Sequence, residues 1–538
     1  MIGTGRGPCD EGVLRAAPER PGCAARAKPW VLAATILGSS LAFIDGSVVN
    51  VALPAMQADL ALSLAGAQWV INAYMLLLGA LMLIGGASGD RIGRRRVFAS
   101  GVAVFAIASL FCGLAPNAAI LIAMRAVQGI GAALLVPVSL AIISASFPES
   151  ERGRAIGTWA GFSALTTSLG PVLGGWLVDA LSWRAIFFIN LPLAAATLGV
   201  TFWRVPESRD EAARTALDWR GGLLAALGLA ALAYGLTSAP EQGWTRPPVL
   251  ASLAASAFAL GLFIRNEARR AAPMVPLDLF RSPAFSGANA VTLLLYFALS
   301  GALFLLPFNL IRFQGYSAAL AGAALLPFSL VMGGLSRWSG GLAERHGARL
   351  PMTVGQVIAA AGFALLAVGG TGGSYWTTFF PALAVLGLGM SVSVAPLTTA
   401  VLEAVEERHA GVASGINNAV ARIAGMLAVA LMGALAAGLF GAALERRLAA
   451  LPMPDDVRSA LAAEASSLGK AGGPSPLAGA AGPAAENALR LSFVDSFRIV
   501  MLVAAGLGMA GALCAWETIG SGDGTKTHDQ APRPDRSA

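Results

Sequence analysis

Charge is scarce in this chain. Only 12% of its 538 residues are Asp, Glu, Lys or Arg, about half the share of a soluble domain, while 56% are hydrophobic and the mean hydropathy is +0.68. A water-soluble globule is thereby excluded. Histidine is nearly missing: His346, His409 and His528 are read as loop or tail residues, which leaves no basis for haem ligation or an intramembrane His metal site. Of the four cysteines, Cys9 and Cys23 precede the first apolar stretch and Cys112 and Cys514 lie within apolar stretches, so free thiols rather than a disulfide framework are predicted. No Ser-His or Cys-His pairing at depth is available to a membrane hydrolase. A phosphate loop is missing too. Its nearest approach, Gly520 to Thr527, has Thr525 between Gly524 and Lys526 and no preceding strand. Neither an enzyme nor a bound cofactor is expected.

What the chain has in abundance is long apolar runs. A helix needs about 20 apolar residues to cross a bilayer, and fourteen such segments fall near 30–53, 68–88, 97–115, 119–143, 155–178, 184–203, 221–238, 249–265, 285–309, 319–338, 351–370, 377–401, 412–440 and 494–516. Backbone polar groups must be satisfied within lipid, so the fold class predicted is an all-α polytopic membrane protein. The tail through Lys28 has no apolar core of its own, so no cleaved signal peptide is expected and the first span does the targeting.

Short loops rich in Lys and Arg stay cytoplasmic. Arg91, Arg94, Arg95 and Arg96 follow the second span, whereas the loops after the first and third hold no Lys or Arg. Both termini are therefore expected in the cytoplasm, the tails being 1–29 and 517–538. The arginines around 152–154, 204–220 and 265–281 fall on the same side. A long loop, 441–493, is assigned to the outside against its own basic residues, and its Ala-Gly-Pro stretch from Gly469 to Pro483 reads as partly disordered. The formal charge of +7 is thus spread over loops, which speaks for membrane topology and against nucleic-acid binding.

Two polar features interrupt the apolar pattern. Asp45 lies inside the first span, where a charge is costly and usually faces a protein interior or a water-filled path. Arg125 does the same in the fourth. Further, Gly86-Ala-Ser-Gly-Asp90-Arg91-Ile-Gly93-Arg94-Arg95-Arg96 after the second span recurs imperfectly as Gly340-Gly-Leu-Ala-Glu344-Arg345-His-Gly347-Ala-Arg349 after the tenth. Duplicated halves with a site at the interface between them are a common transporter architecture. An Asp at such a helix end can accept bonds from the free N–H groups of a neighbouring helix start.

These residues resemble the major facilitator superfamily, in particular its fourteen-span drug:proton antiporter branch, from the first span to the last. The run from Gly86 to Arg96 is similar to the family signature between helices 2 and 3. Asp45-Gly-Ser47-Val-Val-Asn50-Val-Ala-Leu53-Pro54 looks like the first-helix pattern with Ser47 for Thr, and Arg125-x-x-Gln128-Gly129-x-Gly131 resembles the proton-transfer motif. Gly170-Pro171-Val-Leu-Gly174-Gly175 resembles the motif that marks exporters, although Thr166 stands where Gly is usual. Trp183-Arg184-x-x-Phe187-x-Ile189-Asn190 is present as well.

The resemblance implies a major facilitator fold: a six-helix half at 30–203, two inserted helices at 204–284 and a second six-helix half at 285–516. It implies proton coupling at Asp45 and Arg125, a conformational switch at Gly86, Asp90, Arg91, Gly93, Arg94, Arg95, Glu344 and Arg345, and a hinge at Gly170, Pro171, Gly174 and Gly175. Asn50, Tyr74, Gln128, Phe162, Tyr296, Phe304, Asn309 and Arg422 are candidates to line a mostly apolar substrate pocket, with helix packing the competing reading for the aromatics. A static Asp45–Arg125 bridge competes with the proton switch. The implied activity is export of small hydrophobic or amphipathic compounds, such as drugs or antibiotics, in exchange for protons. Its partners are the substrate, protons and the bilayer; a periplasmic adaptor leaves no signature. A dedicated exporter of one metabolite, such as a siderophore or self-made antibiotic, is the alternative. A transport-inactive sensor or scaffold would be expected to carry a folded signalling domain, and none is visible.

Overall fold

The computed structural model describes residues 27–209, 218–270, 273–370, 374–406, 410–466 and 482–520. Among these every regular element is helical. The fourteen long helices are α1 (Lys28–Leu60), α2 (Leu64–Ile92), α3 (Arg94–Gly113), α4 (Ala118–Ser146), α5 (Glu149–Ala180) and α6 (Ala185–Arg204). They continue with α7 (Trp219–Gln242), α8 (Pro247–Arg269), α9 (Pro283–Phe308), α10 (Leu326–His346), α11 (Arg349–Val368), α12 (Phe380–Glu403), α13 (Ala410–Ala449) and α14 (Pro483–Thr518). A short helix, Ala318–Ala323, leads into α10, and another, Asp455–Ser466, lies between α13 and α14. Among the described residues, thirteen spans are long and apolar enough to cross a bilayer. The remaining helix, α5, is 32 residues long; Gly, Ser and Thr lower its hydropathy because it packs along α1 and the Ala318–Ala323 helix. Short polar side chains start several helices, as where Ser63 accepts the Gly66 N–H and Asn117 the Ile120 N–H.

Three expectations are corrected. First, the arginine-rich signature is not a loop: α2 runs to Ile92 and α3 starts at Arg94, with Gly93 alone between them at φ +125°. The second copy turns within two residues, Gly347 at φ +70° and Ala348, between α10 and α11. Both turns require a left-handed backbone that glycine adopts without a Cβ clash, so the repeat seen in sequence is a repeat of backbone geometry. Second, the loop expected at 441–493 is shorter, since α13 continues to Ala449 and α14 begins at Pro483. Beyond the hydrocarbon these helix ends are held by Arg447, which pairs with Asp495 at 2.5 Å and donates to Ser492 at 3.2 Å. Residues 467–481, most of the Ala-Gly-Pro stretch, lie outside the described residues, as do Cys9, Cys23, His409, His528 and the Gly520-to-Thr527 segment beyond Gly520. Third, His346 is the last residue of α10 rather than part of a loop.

The apolar core is organised by depth. At the end carrying the α1–α2 turn, one continuous cluster joins α1 and α2 (Leu53, Met56, Val70) to α9, α13 and α14 (Phe304, Val429, Phe497). At the arginine-rich end the core divides. One cluster contains Leu41, Phe98, Phe105 and Ile142 from α1, α3 and α4; another contains Phe285, Met352, Leu397 and Ile416 from α9, α11, α12 and α13. α7 packs on α2 and α13 through Ala226, Leu229 and Ala233 against Leu76, Ala80 and Met426, and α8 packs mainly on α7.

Candidate functional site

Asp45 and Arg125 meet. The Arg125 guanidinium donates through Nη1 to Asp45 Oδ2, and the side chains of Arg125 and Asp45 are 1% and 0% exposed. Burying both charges costs several kcal/mol per ion, and the site offsets this by satisfying the rest of each group. Arg125 Nη1 also donates to Gln128 Oε1 (2.8 Å) and its Nε to the Val70 carbonyl (3.0 Å). Gln128 Nε2 donates to Asp45 Oδ1 (3.1 Å) and Ser109 Oγ (2.6 Å). Asn190 Nδ2 reaches Ser109 Oγ at 3.2 Å and Asp45 Oδ1 at 3.5 Å, and Cys112 Sγ donates to Gln128 Oε1 at 3.4 Å. The guanidinium carbon lies 4.5 Å from the centre of the Tyr74 ring and 5.9 Å from that of Phe187, so its faces are covered by aromatic rings that attract a cation. Four helices of one half, α1, α3, α4 and α6, thus converge on one carboxylate.

Gln128 and Tyr74, read from sequence as pocket residues, belong to this closed network, Tyr74 also donating to the Ala42 carbonyl at 3.2 Å. Sequence reasoning misses Ser109, whose only signal is a hydroxyl in an apolar span. Asn190 lies in a family motif that gives it no role; its Oδ1 is buried and has no hydrogen-bond partner, an acceptor left free beside the ion pair.

The glycines of α5 sit at contacts between helices. A Cβ on Gly170 would run into Ser47 Oγ, with the Ile44 carbonyl 3.3 Å away, and one on Gly174 would run into Val48. On the next face, a Cβ on Gly175 would strike the Ala318 carbonyl, and one on Gly322 the Pro171 carbonyl. Pro171 lies inside the helix. Thr166 folds its hydroxyl back onto the Phe162 and Ser163 carbonyls at 3.0 Å each.

The two halves are fastened at this same end. Asp179 accepts the Ala318 and Ala319 N–H groups at 3.2 and 2.7 Å, and Gln68 Nε2 donates to the Val429 carbonyl at 2.8 Å. Gly157 stands about five turns before Gly175 at 3.6 residues per turn, hence on the same face of α5, yet a Cβ there would meet nothing within 4 Å. α5 therefore touches the second half at one end and faces open space at the arginine-rich end.

In the signature, Arg94 clasps Asp90 within the same turn region, with Nη2 at 2.7 Å and Nε at 2.9 Å. The neighbouring helix start is served instead by Glu207, which follows α6: its Oε1 accepts the Arg95 N–H at 3.0 Å, and Oε2 lies 3.6 Å from Arg96 Nε. Asp90 thus orients an arginine, and Glu207 takes the capping role expected of it. A Cβ added to Gly86 would lie 3.6 Å from Pro137 Cβ. Arg91 and Arg345 are exposed, and the Glu344 side chain lies outside the described residues.

The remaining pocket candidates scatter. Phe304 is buried against Phe308, with ring centres 5.5 Å apart. Asn309 is buried at the start of a π-turn, Asn309–Phe313, accepting from Gln314 at 3.4 Å. Phe162 is 48% exposed. Asn50 is half-buried and donates to the Gly46 carbonyl at 3.3 Å. Tyr296 and Arg422, both half-buried, lie within electrostatic range of each other, as do Tyr74 and Arg422.

The sequence model of the Major Facilitator Superfamily matches residues 35–429. Among curated proteins, the multidrug resistance protein Stp of Mycobacterium tuberculosis is 37% identical over 82% of this chain and 81% of its own length. The tetracenomycin C resistance and export protein of Streptomyces glaucescens is 31% identical over 96% of both chains. Among solved structures, a bacterial homologue of the human lysosomal transporter Spinster, in an inward-facing and occupied conformation, superposes with a TM-score of 0.63 at 19% identity, covering 92% of this chain and 97% of its own. A D-xylose-proton symporter gives 0.59 at 15% identity, covering 92% and 98%. At such identities the structural likeness establishes the fold.

Proposed function

Because the chain belongs to the major facilitator superfamily, a family of membrane transporters, we propose that it exports small hydrophobic or amphipathic compounds in exchange for protons by alternating access. The observation that carries this reading is the sealed Asp45–Arg125 pair inside a two-half bundle in which α5 touches the second half at one end and faces open space at the other. A carboxylate in apolar surroundings gains proton affinity, whereas a guanidinium on its oxygen opposes protonation. Parting Asp45 from Arg125 by a shift of α1 against α4 within the first half therefore loads a proton during the cycle, and restoring the bond releases it. Gly170, Gly174 and Gly175 let α5 lie close to both α1 and the second half, and Pro171 removes one backbone hydrogen bond where that helix must flex.

We place the arginine-rich ends and both termini in the cytoplasm of a cell-membrane protein, on the asymmetry of loop charge, so the open end of α5 faces inward. Relatives that bear the names of multidrug and antibiotic resistance proteins support drug efflux as the leading subclass. The tetracenomycin C exporter, alike over 96% of both chains, favours a dedicated antibiotic exporter as the second reading. The test is proteoliposome efflux across a chemically diverse panel with an imposed proton gradient. Uphill movement that collapses with a protonophore is expected; transport of every panel member indifferent to the gradient would refute proton exchange.

A further inference from the structure

Arg422 is a cation at mid-depth with no acid paired to it among the described residues. It stands about 18 Å along α13 from Ala410 at 1.5 Å per residue, roughly the middle of a 30 Å hydrocarbon layer. Among the described residues it makes no hydrogen bond and no ion pair, and it is half-buried rather than sealed. Its surroundings come from both halves. Its Cβ lies 3.2 Å from the Cβ position of Gly79 on α2, and Tyr74 of α2 and Tyr296 of α9 are within electrostatic range. The absence of Cβ at Gly79 is what lets the arginine stem lie flat on α2.

The acid that would neutralise it is taken. Asp45, fully buried, is engaged by Arg125, Gln128 and Asn190. Sequence alone leaves the sign of any substrate charge preference open, since Asp45 is a lone acid that could attract cations. The fold reverses that: the acid is sealed and neutralised, and the charge left without a partner at mid-depth among the described residues is positive. A guanidinium presents a planar fork of donors that matches a carboxylate, and the half-buried Tyr296, within electrostatic range on α9, would offer an apolar wall for the remainder of an amphipath.

We propose that Arg422 is the anion subsite of the cavity, so that the cargo is an amphipathic weak acid carried as its carboxylate or similar monoanion. This rests on the export reading and deepens it. Exchange of one such anion outward for one proton inward moves two positive charges into the cell, so the membrane potential as well as the proton gradient drives export.

The test uses the full-length protein in nanodiscs of zwitterionic lipid and three probes of one shape: 2-naphthoate, 2-naphthamide and 2-naphthylmethylammonium. At pH 7.5 naphthoate is expected to bind at least about tenfold more tightly than the amide, the scale of a charge-assisted hydrogen bond, with the ammonium weakest. Arg422→Gln should collapse the acid-to-amide ratio to near one, while Arg422→Lys, which keeps the charge and tests for mere loss of folding, should retain part of it. Added anionic lipid that abolishes naphthoate binding would reassign the subsite to a lipid headgroup and overturn the proposal. So would wild-type preference for the ammonium, an acid preference unchanged in Arg422→Gln, or no saturable naphthoate binding. Gradient-driven efflux of cations but not of naphthoate would sink the anion subsite and leave the exporter standing. Naphthoate bound at Arg422 without gradient-driven movement of any probe would do the opposite.

Discussion

Replacing Asp45 with Asn removes a charge and keeps the shape, and the contacts around Arg125 set the consequences. Arg125 is 1% exposed, so its positive charge has no water to turn to. Breaking a buried ion pair by removing one member costs about 3–5 kcal/mol. The lower end is expected here, because the Val70 carbonyl and Gln128 Oε1 remain as acceptors for the guanidinium and the new amide oxygen can still accept from Gln128. Asp45→Asn should therefore fold and insert, unfold at lower temperature than the wild type, and lose gradient-driven efflux because no proton exchanges at that position. Adding Arg125→Gln removes the stranded charge, so the double variant should be no less stable than Asp45→Asn alone. Thermal unfolding in detergent gives the stability cycle, and efflux from proteoliposomes gives the coupling. Undiminished uphill transport by Asp45→Asn would eliminate Asp45 as the proton carrier. Additive losses of stability in the double variant would refute energetic coupling between the two charges.

Four further outcomes are expected. Cysteines placed at Arg209 and Arg281, on either side of α7 and α8, should both resist an impermeant reagent added to intact cells; labelling of one alone would overturn the two-span insertion. Gly175→Val puts carbon into the Ala318 carbonyl, and at about 1–3 kcal/mol of overpacking it should shift the balance between closed and open outer ends by roughly 5–150-fold, read as slowed efflux; unchanged efflux would remove that contact from the cycle. Asp90→Asn should slow transport more than Glu344→Gln, and Glu207→Gln should slow it comparably to Asp90→Asn because Glu207 holds the α3 start; equal losses for Asp90→Asn and Glu344→Gln, or a loss confined to substrate affinity, would strip the asymmetry of meaning. At the head of α7, burial works against ionisation of Asp218, but the Gly221 N–H, Glu267, Arg270 and Asn266 outweigh it and hold its carboxyl below the usual carboxylate range. A depressed folded value stabilises above the unfolded value of about 3.9, so the stability gap between wild type and Asp218→Asn should be constant near neutral pH and close as pH falls below about 4; a gap widening in acid would reverse the assignment.

Much of this protein was legible before any fold was known, for a definite reason. Hydrocarbon tolerates neither unpaired backbone nor free charge, so length and hydropathy placed the helices, and depth alone singled out Asp45 and Arg125. The repeated Gly-acid-Arg run announced two related halves because in each a glycine, Gly93 or Gly347, takes the positive φ that turns the chain from one helix into the next. Contacts between residues far apart in the chain were not legible. That Asn190 and Ser109 complete the site around Asp45, that Glu207 rather than Asp90 caps α3, and that α5 touches the Ala318–Ala323 helix at one end only are matters of which side chains packing brings within 3 or 4 Å. Helix ends also escaped, since hydropathy stops at the membrane surface while backbone hydrogen bonding carries α13 on to Ala449. Charge is the sharpest case: the sequence by itself determined that one acid and two arginines, Asp45, Arg125 and Arg422, lie at depth. Only the tertiary structure decided which arginine the acid neutralises, because pairing depends on distance, and so left Arg422 half-buried without an acidic partner among the described residues.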